Sequence, residues 1–282
     1  MSAHEDADRV IAVLAALYQH ILLREADRPG LELYAGLILK GEMTLPQALQ
    51  SFLQSEEFKR NFDAFAARYA PSDDARAFRD VSQFGEIALL VRRIVNEASP
   101  SRLVVDVGVR GREGSNSFDL MRHFGWRGLL IEANPQLADG IAAEFAGLDF
   151  RLISTAVSDY SGEAVFHLGA NDAISSLSED AAAGWGPIRG QVRVPVRRLP
   201  DILAEHDVAV QFDLLSLDIE GEDIKVMNDL IDRSGYRPKW VIIEASYDFR
   251  TTALTDLPFS QQVVAAYEIV ERTQANLLLR RR

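Results

Sequence analysis

The chain has 282 residues, 48% of them hydrophobic, no cysteine and a formal net charge of −12 at neutral pH. This length allows one large α/β domain with a small appendage, and the lack of cysteine excludes disulfides and thiolate metal sites. The negative charge makes nucleic acid a poor partner, because phosphate contacts need a positive patch. The acidic start of the chain lacks a signal-peptide pattern, and no apolar run is long enough to span a membrane. We therefore predict a soluble protein, with the cytoplasm as its default location.

Apolar residues at helical spacing predict a first helix over residues 6–24. The turn-forming residues 27–30 end it, and a second short helix follows over residues 31–39. Thr44 and Gln47 form the capping box of a third helix that runs through Phe58. Residues 1–70 are therefore predicted to form a small all-helical domain.

A polar segment at residues 70–74 contains a proline and is predicted to link this domain to a second one, residues 71–282. Residues 8–62 resemble a bacterial domain family of unassigned function that occurs beside glycan-handling enzymes and in some surface proteins. That resemblance implies no reaction. Two readings stay open for these helices: a docking or oligomerisation module, and a packing appendage.

The second domain is organised around residues 103–107, which are apolar and rich in β-branched side chains apart from Asp106. This composition predicts a buried parallel strand. Three glycines follow within seven residues: Gly108, Gly111 and Gly114. A helical pattern then runs from about Ser115 to Phe124. Strand, glycine turn and helix in this order open the cofactor site of many α/β sheets.

The charges around this turn indicate which cofactor it binds. Asp106 and Glu113 would repel a pyrophosphate but suit a ligand that carries an ammonium group. Arg110 also stands where the dinucleotide fingerprint requires a glycine. The turn therefore predicts S-adenosylmethionine as the cofactor, and the alternative is a strand–turn–helix crossover without a ligand.

The next strand, residues 126–132, ends in Glu132, about 20 residues past the glycine turn. A carboxylate at this place reaches the ribose hydroxyls of an adenosine cofactor. A helix over residues 135–145 and a third strand over residues 150–154 follow. Ala156 and Val157 come next and are predicted to pack on the adenine ring.

Residues 163–168 and 192–198 alternate apolar and polar side chains and predict an antiparallel ribbon added to the sheet. Residues 171–187 between them form a long polar loop, here called the covering segment, and we predict that it covers a substrate. His167 on the ribbon is a candidate base, although a structural role is the more common one for such a histidine.

Strands over residues 212–218 and 240–244 and a C-terminal pair of strands complete the pattern. We predict an α/β fold with a seven-stranded Rossmann-like methyltransferase sheet and helices on both faces, preceded by the helical domain. Seven strands with a C-terminal hairpin suit a methyltransferase better than a nicotinamide dehydrogenase, which remains a rival.

Two carboxylates, Asp218 and Glu220, follow the fourth strand at the sheet edge where open α/β sheets bind ligands. An alcohol that accepts a methyl group must lose its proton to a base within hydrogen-bond reach. We predict Asp218 as the substrate-orienting or basic residue and Glu220 as the second. In one alternative both carboxylates cap the next helix, and in another Asp218 and Glu244 hold a magnesium ion, which we do not favour.

Several of these segments, in order, resemble the FkbM family of S-adenosylmethionine-dependent methyltransferases. They are residues 105–108, 114–117, 125–135, 156–159, 216–222 and 243–244, with residues 82–86 as the lead-in. The resemblance covers about residues 80–280 and implies methylation of hydroxyl oxygens, often on sugars or natural products. It also implies that Asp106, Gly108, Glu132 and residues 218–220 face the cofactor and the substrate.

The glycine turn departs from the family pattern, because Arg110 replaces an asparagine and the later glycines are shifted. This departure motivates the alternative of a catalytically inactive cofactor-binding or docking module. The predicted acceptor is a small molecule or a glycan, and no bound metal is predicted. The predicted cofactor site comprises Asp106, Gly108, Arg110, Gly111, Gly114, Ser115, Asn116, Glu132, Ala133, Asn134, Ala156, Val157 and Asp218.

Overall fold

A computed structural model describes residues 3–22, 24–59, 78, 80–94, 101–170, 174–184, 186–245 and 253–282. The chain separates into two compact units, Met1–Ala75 and Arg76–Arg282. The predicted linker at residues 70–74 lies outside the described residues, so the domain boundary stays a prediction. In the part of the chain that is described, no helix is long and apolar enough to cross a membrane.

The first unit contains three described helices: α1 (Ala3–Ile21), α2 (Arg28–Leu39) and α3 (Leu45–Gln54). The capping box of Thr44 and Gln47 is present as predicted. α2 starts three residues earlier than predicted, because Asp27 accepts a hydrogen bond from the backbone N–H of Gly30 and the proline between them suits the first helical turn. α3 ends at Gln54, before Phe58.

Tyr18 of α1 and Phe52 of α3 join these two helices through an edge-to-face ring contact with centroids 4.8 Å apart. Several large apolar side chains nevertheless remain exposed on this unit: Ile11, Val13, Leu33, Leu39, Leu49 and Leu53. The docking or oligomerisation role of these helices stays a prediction.

The second unit is built on a seven-stranded sheet. Its strands in chain order are β1 (Leu103–Val107), β2 (Arg127–Glu132), β3 (Phe150–Ser154), β7 (Leu214–Leu217), β8 (Trp240–Glu244), β9 (Tyr267–Arg272) and β10 (Asn276–Arg281). The spatial order is β3-β2-β1-β7-β8-β10-β9. The first five of these strands are parallel, and β10 is antiparallel to both of its neighbours. The predicted sheet and its C-terminal hairpin are confirmed.

A second, three-stranded sheet comprises β4 (Ala156–Ser158), β5 (Gly162–Leu168) and β6 (Gly190–Arg198). β5 and β6 form the predicted antiparallel ribbon. β4 pairs with β6 in parallel, which the sequence did not indicate.

The remaining helices of the second unit are α4 (Glu86–Ile94), α5 (Phe118–Phe124), α6 (Ala138–Glu144), α7 (Glu179–Ala183), α8 (Leu199–Glu205), α9 (Asp223–Arg233) and α10 (Gln261–Ala266). α5 begins at Phe118 rather than near Ser115, because the Ser115 hydroxyl accepts the N–H groups of Ser117 and Phe118 and shapes the preceding turn. α6 is shorter than the predicted 135–145.

Alternate residues of the central strands face opposite sides of the main sheet. Val105, Leu215 and Val241 pack in one core cluster with side chains of α8, α9 and α10. Val104 and Leu214 pack in another with side chains of α4, α5 and α6. The sheet is thus covered by helices on both faces, as predicted, and its carboxyl edge is left to form a site.

Candidate active site

A cavity of about 370 Å³ lies at the carboxyl edge of the main sheet. Twelve of the residues predicted for the cofactor or catalytic site line it: Asp106, Gly108, Arg110, Gly114, Ser115, Asn116, Glu132, Ala133, Ala156, Val157, Asp218 and Glu220. They come from the ends of β1, β2 and β7, from the glycine turn and from β4. The sheet brings them together because the carboxyl ends of parallel strands meet at one edge.

Gly108 follows β1 and lies against Asp218, which follows β7. Its φ is +93°, and a Cβ added there would lie 1.9 Å from the carbonyl oxygen of Asp218. The Gly108 N–H donates to the Ile131 carbonyl at 2.9 Å, which ties the turn to β2. Only glycine allows this approach without moving the backbone.

Asp106 lies at the floor of the cavity and is buried. Its Oδ2 accepts a hydrogen bond of 2.6 Å from the Ser117 hydroxyl. Burial raises the pKa of this carboxyl, and the hydroxyls of Ser117 and Ser216 lower it in part. A buried acceptor at this place suits a cationic ligand group.

Asn116 is buried beside Ser216, to whose hydroxyl its Nδ2 donates at 3.2 Å. Its Oδ1 has no hydrogen-bond partner among the described residues, although the side chain lines the cavity. A buried acceptor without a partner is costly in a folded protein. A ligand that donates a hydrogen bond would remove this cost.

Glu132 ends β2 on the cavity wall, where its Oε1 accepts the backbone N–H of Asn134 at 2.6 Å. Two predicted cofactor residues are not on this wall: Gly111 and Asn134. The Asn134 Oδ1 accepts the N–H of Gln136 and shapes the turn before α6. Gly111 faces Glu144, whose carboxylate a Cβ at this position would approach to 2.7 Å.

An apolar corner of the cavity is formed by Ala133, Ala156, Phe166 and Leu177, which pack in one cluster. Ala156 was predicted to contact adenine. Phe166 and Leu177 were not singled out, because they come from the added ribbon and from the covering segment. Sequence alternation could have marked Phe166 as buried, but nothing in the sequence places Leu177 here.

Three carboxyl groups, of Asp218, Glu220 and Glu244, form a cluster in which one ligand atom of each lies within 4.8 Å of the others. All three line the cavity, and they could hold a divalent cation, since such ions prefer oxygen ligands. Glu244 also lines a second, wider depression of about 550 Å³ beside α9. The cluster therefore lies where the two cavities meet.

The three carboxyl groups of this cluster have raised pKa values and so favour their protonated forms. Burial, reinforced by the neighbouring carboxylates, raises the pKa of Glu220 to about 7 and that of Glu244 to about 8. Burial and the nearby Glu244 raise the pKa of Asp218 well above its ordinary range. Carboxylates this close cannot all ionise at neutral pH, because their charges repel each other in a poorly solvated site.

A pH dependence of stability follows from Glu244, whose pKa is about 8 in the folded chain and 4.5 ordinarily. Between these values the folded state binds more protons than the unfolded state, so the free energy of unfolding falls as pH rises. We expect Glu244→Gln to remove part of this fall, raising the melting temperature by roughly 5 °C at pH 8.5 and leaving it unchanged at pH 4.

Calorimetric melting across this pH range measures the effect. Glu163→Gln, at an exposed position on β5, is the matched control and should melt like the wild type at every pH. Parallel pH dependence of the wild type and Glu244→Gln would contradict the expectation.

Neither Asp218 nor Glu220 caps α9: its N-cap residue is Glu222, whose side chain makes no capping hydrogen bond. Asp223 instead holds the turn after β7: its Oδ1 accepts the N–H of Ile219 at 2.9 Å and its Oδ2 that of Gly221 at 3.1 Å. Burial raises the pKa of Asp223 to about 6, although these hydrogen bonds lower it. Sequence reasoning did not single out Asp223.

His167 does not line the cavity among the described residues. It is buried on β5, and its Nδ1 lies 3.4 Å from the Nε2 of Gln191. This placement favours the structural reading over a role as base.

The lead-in segment, residues 82–86, does reach the site. The Gly114 N–H donates to the Val81 carbonyl at 2.8 Å, and Ser82 and Gln83 line the cavity.

The sheet order, the glycine turn and the acidic cavity at the carboxyl edge together define a Rossmann-like methyltransferase. Residues 106–261, more than half of the chain, match the family model described as the Methyltransferase FkbM domain. The chain therefore belongs to the FkbM family of S-adenosylmethionine-dependent methyltransferases. Residues 13–62 match a second model, described as a domain of unknown function, DUF4214. No curated protein and no solved structure matches the chain.

The charge of the cavity fits the family's cofactor. Its described lining contains one basic residue, Arg110, and seven acidic ones: Asp106, Glu113, Glu132, Asp218, Glu220, Glu222 and Glu244. S-adenosylmethionine carries an ammonium, a sulfonium and one carboxylate, so a mostly acidic wall with a single cation complements it. The unpartnered Oδ1 of Asn116 offers an acceptor for the ammonium group.

Proposed function

We propose that the protein methylates a hydroxyl oxygen of a sugar, a glycan or a hydroxylated natural product. The observation that carries this proposal is the cluster of Asp218, Glu220 and Glu244 at the junction of the two cavities. Carboxylates accept hydrogen bonds from vicinal hydroxyls, and the pKa of Glu220, about 7, is close to the value at which a general base is most effective at neutral pH.

The cofactor side of the proposal uses the lining residues of the main cavity. We propose that Asp106 and Asn116 hold the ammonium group, that Arg110 pairs with the carboxylate, and that Glu132 accepts the ribose hydroxyls. Ala156 and Val157 are buried and line the wall, where they would pack on the adenine ring. On this proposal Arg110 is compatible with activity, because it supplies the one cation that the cofactor's single carboxylate needs.

The acceptor side uses the acidic cluster. When bound, S-adenosylmethionine supplies a methyl group on a positively charged sulfur. Asp218 orients the acceptor hydroxyl and takes its proton, and Glu220 is the second group able to do so. The surrounding walls fix the direction of approach and keep water out, which is the main contribution a protein makes to such a displacement.

The test combines cofactor binding with a search for the acceptor. Calorimetric titration with S-adenosylhomocysteine should show binding. Incubation with S-adenosylmethionine and a panel of sugars, glycans and polyhydroxylated natural products should yield a product with a new O-methyl resonance by NMR.

Binding without methylation across the panel would favour the alternative of an inactive cofactor-binding or docking module. Binding of a nicotinamide cofactor, with no binding of S-adenosylhomocysteine, would contradict the proposal altogether. The cytoplasmic location and the absence of nucleic-acid partners stay predictions.

A further inference from the structure

Ser176 joins the covering segment to the turn that carries Glu220. Its side chain is fully buried, and its hydroxyl donates a hydrogen bond of 2.7 Å to the carbonyl oxygen of Glu220. The same hydroxyl accepts the backbone N–H of Ser178 at 2.9 Å. One side chain thus fixes two segments that lie 44 residues apart in the chain.

The turn that Ser176 contacts has an unusual backbone conformation, with two consecutive residues at positive φ. Glu220 has a φ of +53°, in the left-handed region that non-glycine residues seldom adopt, and Gly221 follows with a φ of +102°. Asp223 fixes the N–H groups of Ile219 and Gly221 on either side of Glu220. The Ser176 hydroxyl fixes the Glu220 carbonyl, so each of the three residues has one backbone group held by a side chain.

Within the described part of the covering segment, residues 174–184 are anchored on the added ribbon at Ser176. His167 and Ser176 exchange both backbone hydrogen bonds, at 2.8 and 3.0 Å. Ser175 and Leu177, on either side of Ser176, line the main cavity. α7 follows and packs over the turn, because a Cβ on Gly221 would lie 3.7 Å from the Cβ of Ala181. The segment that lines the main cavity therefore also contacts the turn that carries Glu220.

We propose that Ser176 is a positioning residue, which holds the Glu220 carboxylate in its place by pinning the backbone of the turn to the covering segment. This inference rests on the proposed function of Glu220 in methyl transfer. A group misplaced by about 1 Å can cost an enzyme two orders of magnitude in rate. The hydrogen bond from Ser176 to Glu220 therefore links the position of the covering segment to the position of the carboxylates in the acidic cluster.

Ser176→Ala in the full chain tests this inference. We expect the kcat for the best acceptor of the panel to fall about tenfold, with little change in the acceptor KM and in the affinity for S-adenosylhomocysteine. Hydrogen–deuterium exchange of the backbone amides of residues 219–223 should become faster at the same time.

Ser178→Ala is the matched control. Its hydroxyl accepts the N–H of Ala181 and caps α7, so the variant loosens the same covering segment but keeps the Ser176–Glu220 hydrogen bond. Neither kcat nor the exchange of residues 219–223 should change in this variant. Equal losses in the two variants would show a merely structural role and overturn the inference.

The exchange measurement needs no acceptor, so it separates this inference from the proposed function. If the wild type methylates nothing in the panel, the proposed function fails. Unchanged exchange of residues 219–223 in Ser176→Ala would overturn the inference, whatever the result of the methylation assay. Faster exchange confined to residues 219–223 of that variant would support the pinning of the turn.

Discussion

Replacing Asp218 with asparagine is expected to lower the kcat of methyl transfer by roughly 10²- to 10⁴-fold, the usual contribution of a positioned proton acceptor. The asparagine keeps the shape of the side chain and its ability to bind an acceptor hydroxyl, but it cannot take up the proton. The buried surroundings that raise the pKa of Asp218 would also make a neutral amide easy to accommodate. The fold and the binding of S-adenosylhomocysteine should therefore be retained.

Turnover with the best acceptor, measured together with calorimetric cofactor binding, checks this expectation. Asp149→Asn makes the same chemical change at an exposed position before β3 and should turn over like the wild type. A smaller loss is expected for Glu220→Gln, since Glu220 is the second group in the cluster. Unchanged turnover in Asp218→Asn would remove Asp218 from its proposed role.

Gly108→Ala is expected to abolish binding of S-adenosylhomocysteine and to lower the free energy of unfolding by about 3 kcal/mol or more. The new methyl group would start 1.9 Å from the Asp218 carbonyl oxygen, so β1 and β7 must separate at the point where they form the cavity. The positive φ adds a further penalty for any side chain.

Gly147→Ala separates these two causes. Gly147 has a φ of +83°, similar to that of Gly108, but nothing lies within 4 Å of a Cβ built there. It should lose about 1 kcal/mol from the backbone penalty alone and keep full cofactor affinity. Similar melting temperatures and affinities for the two variants would mean that the close approach of Gly108 to Asp218 does not matter.

Much of the α/β unit was predictable from local patterns. The sequence predicted the buried strands from their apolar, β-branched composition and the turn from its glycines. It predicted the two carboxylates after β7 from their position at a strand end. Element boundaries were less predictable: α2 and α5 were misplaced by a few residues at their starts, where side-chain hydrogen bonds of Asp27 and Ser115 decided the first turn.

The contacts that complete the site were not predictable. Asp223 rather than Asp218 or Glu220 holds the turn after β7, and only the spatial arrangement shows which of three nearby acids reaches the backbone. Phe166 and Leu177 line the cavity because the ribbon and the covering segment each contribute to its wall, and Ser176 contacts the backbone of Glu220 beside it. Periodicity carries no information on such long-range placement.

The sequence by itself determined the class of sheet, the acidic character of the cofactor turn and the presence of Asp218 and Glu220 at a strand end, since each depends on residues close together in the chain. The sequence offered a pairing of Asp218 with Glu244 only as an alternative, and the tertiary structure decided that both lie in one cluster with Glu220. It also decided that Gly108 must be a glycine because of Asp218, and that Gly111 and Asn134 are not on the cavity wall. The physical reason is that burial and charge proximity depend on distances between strands, and strand order is set by packing across the whole sheet.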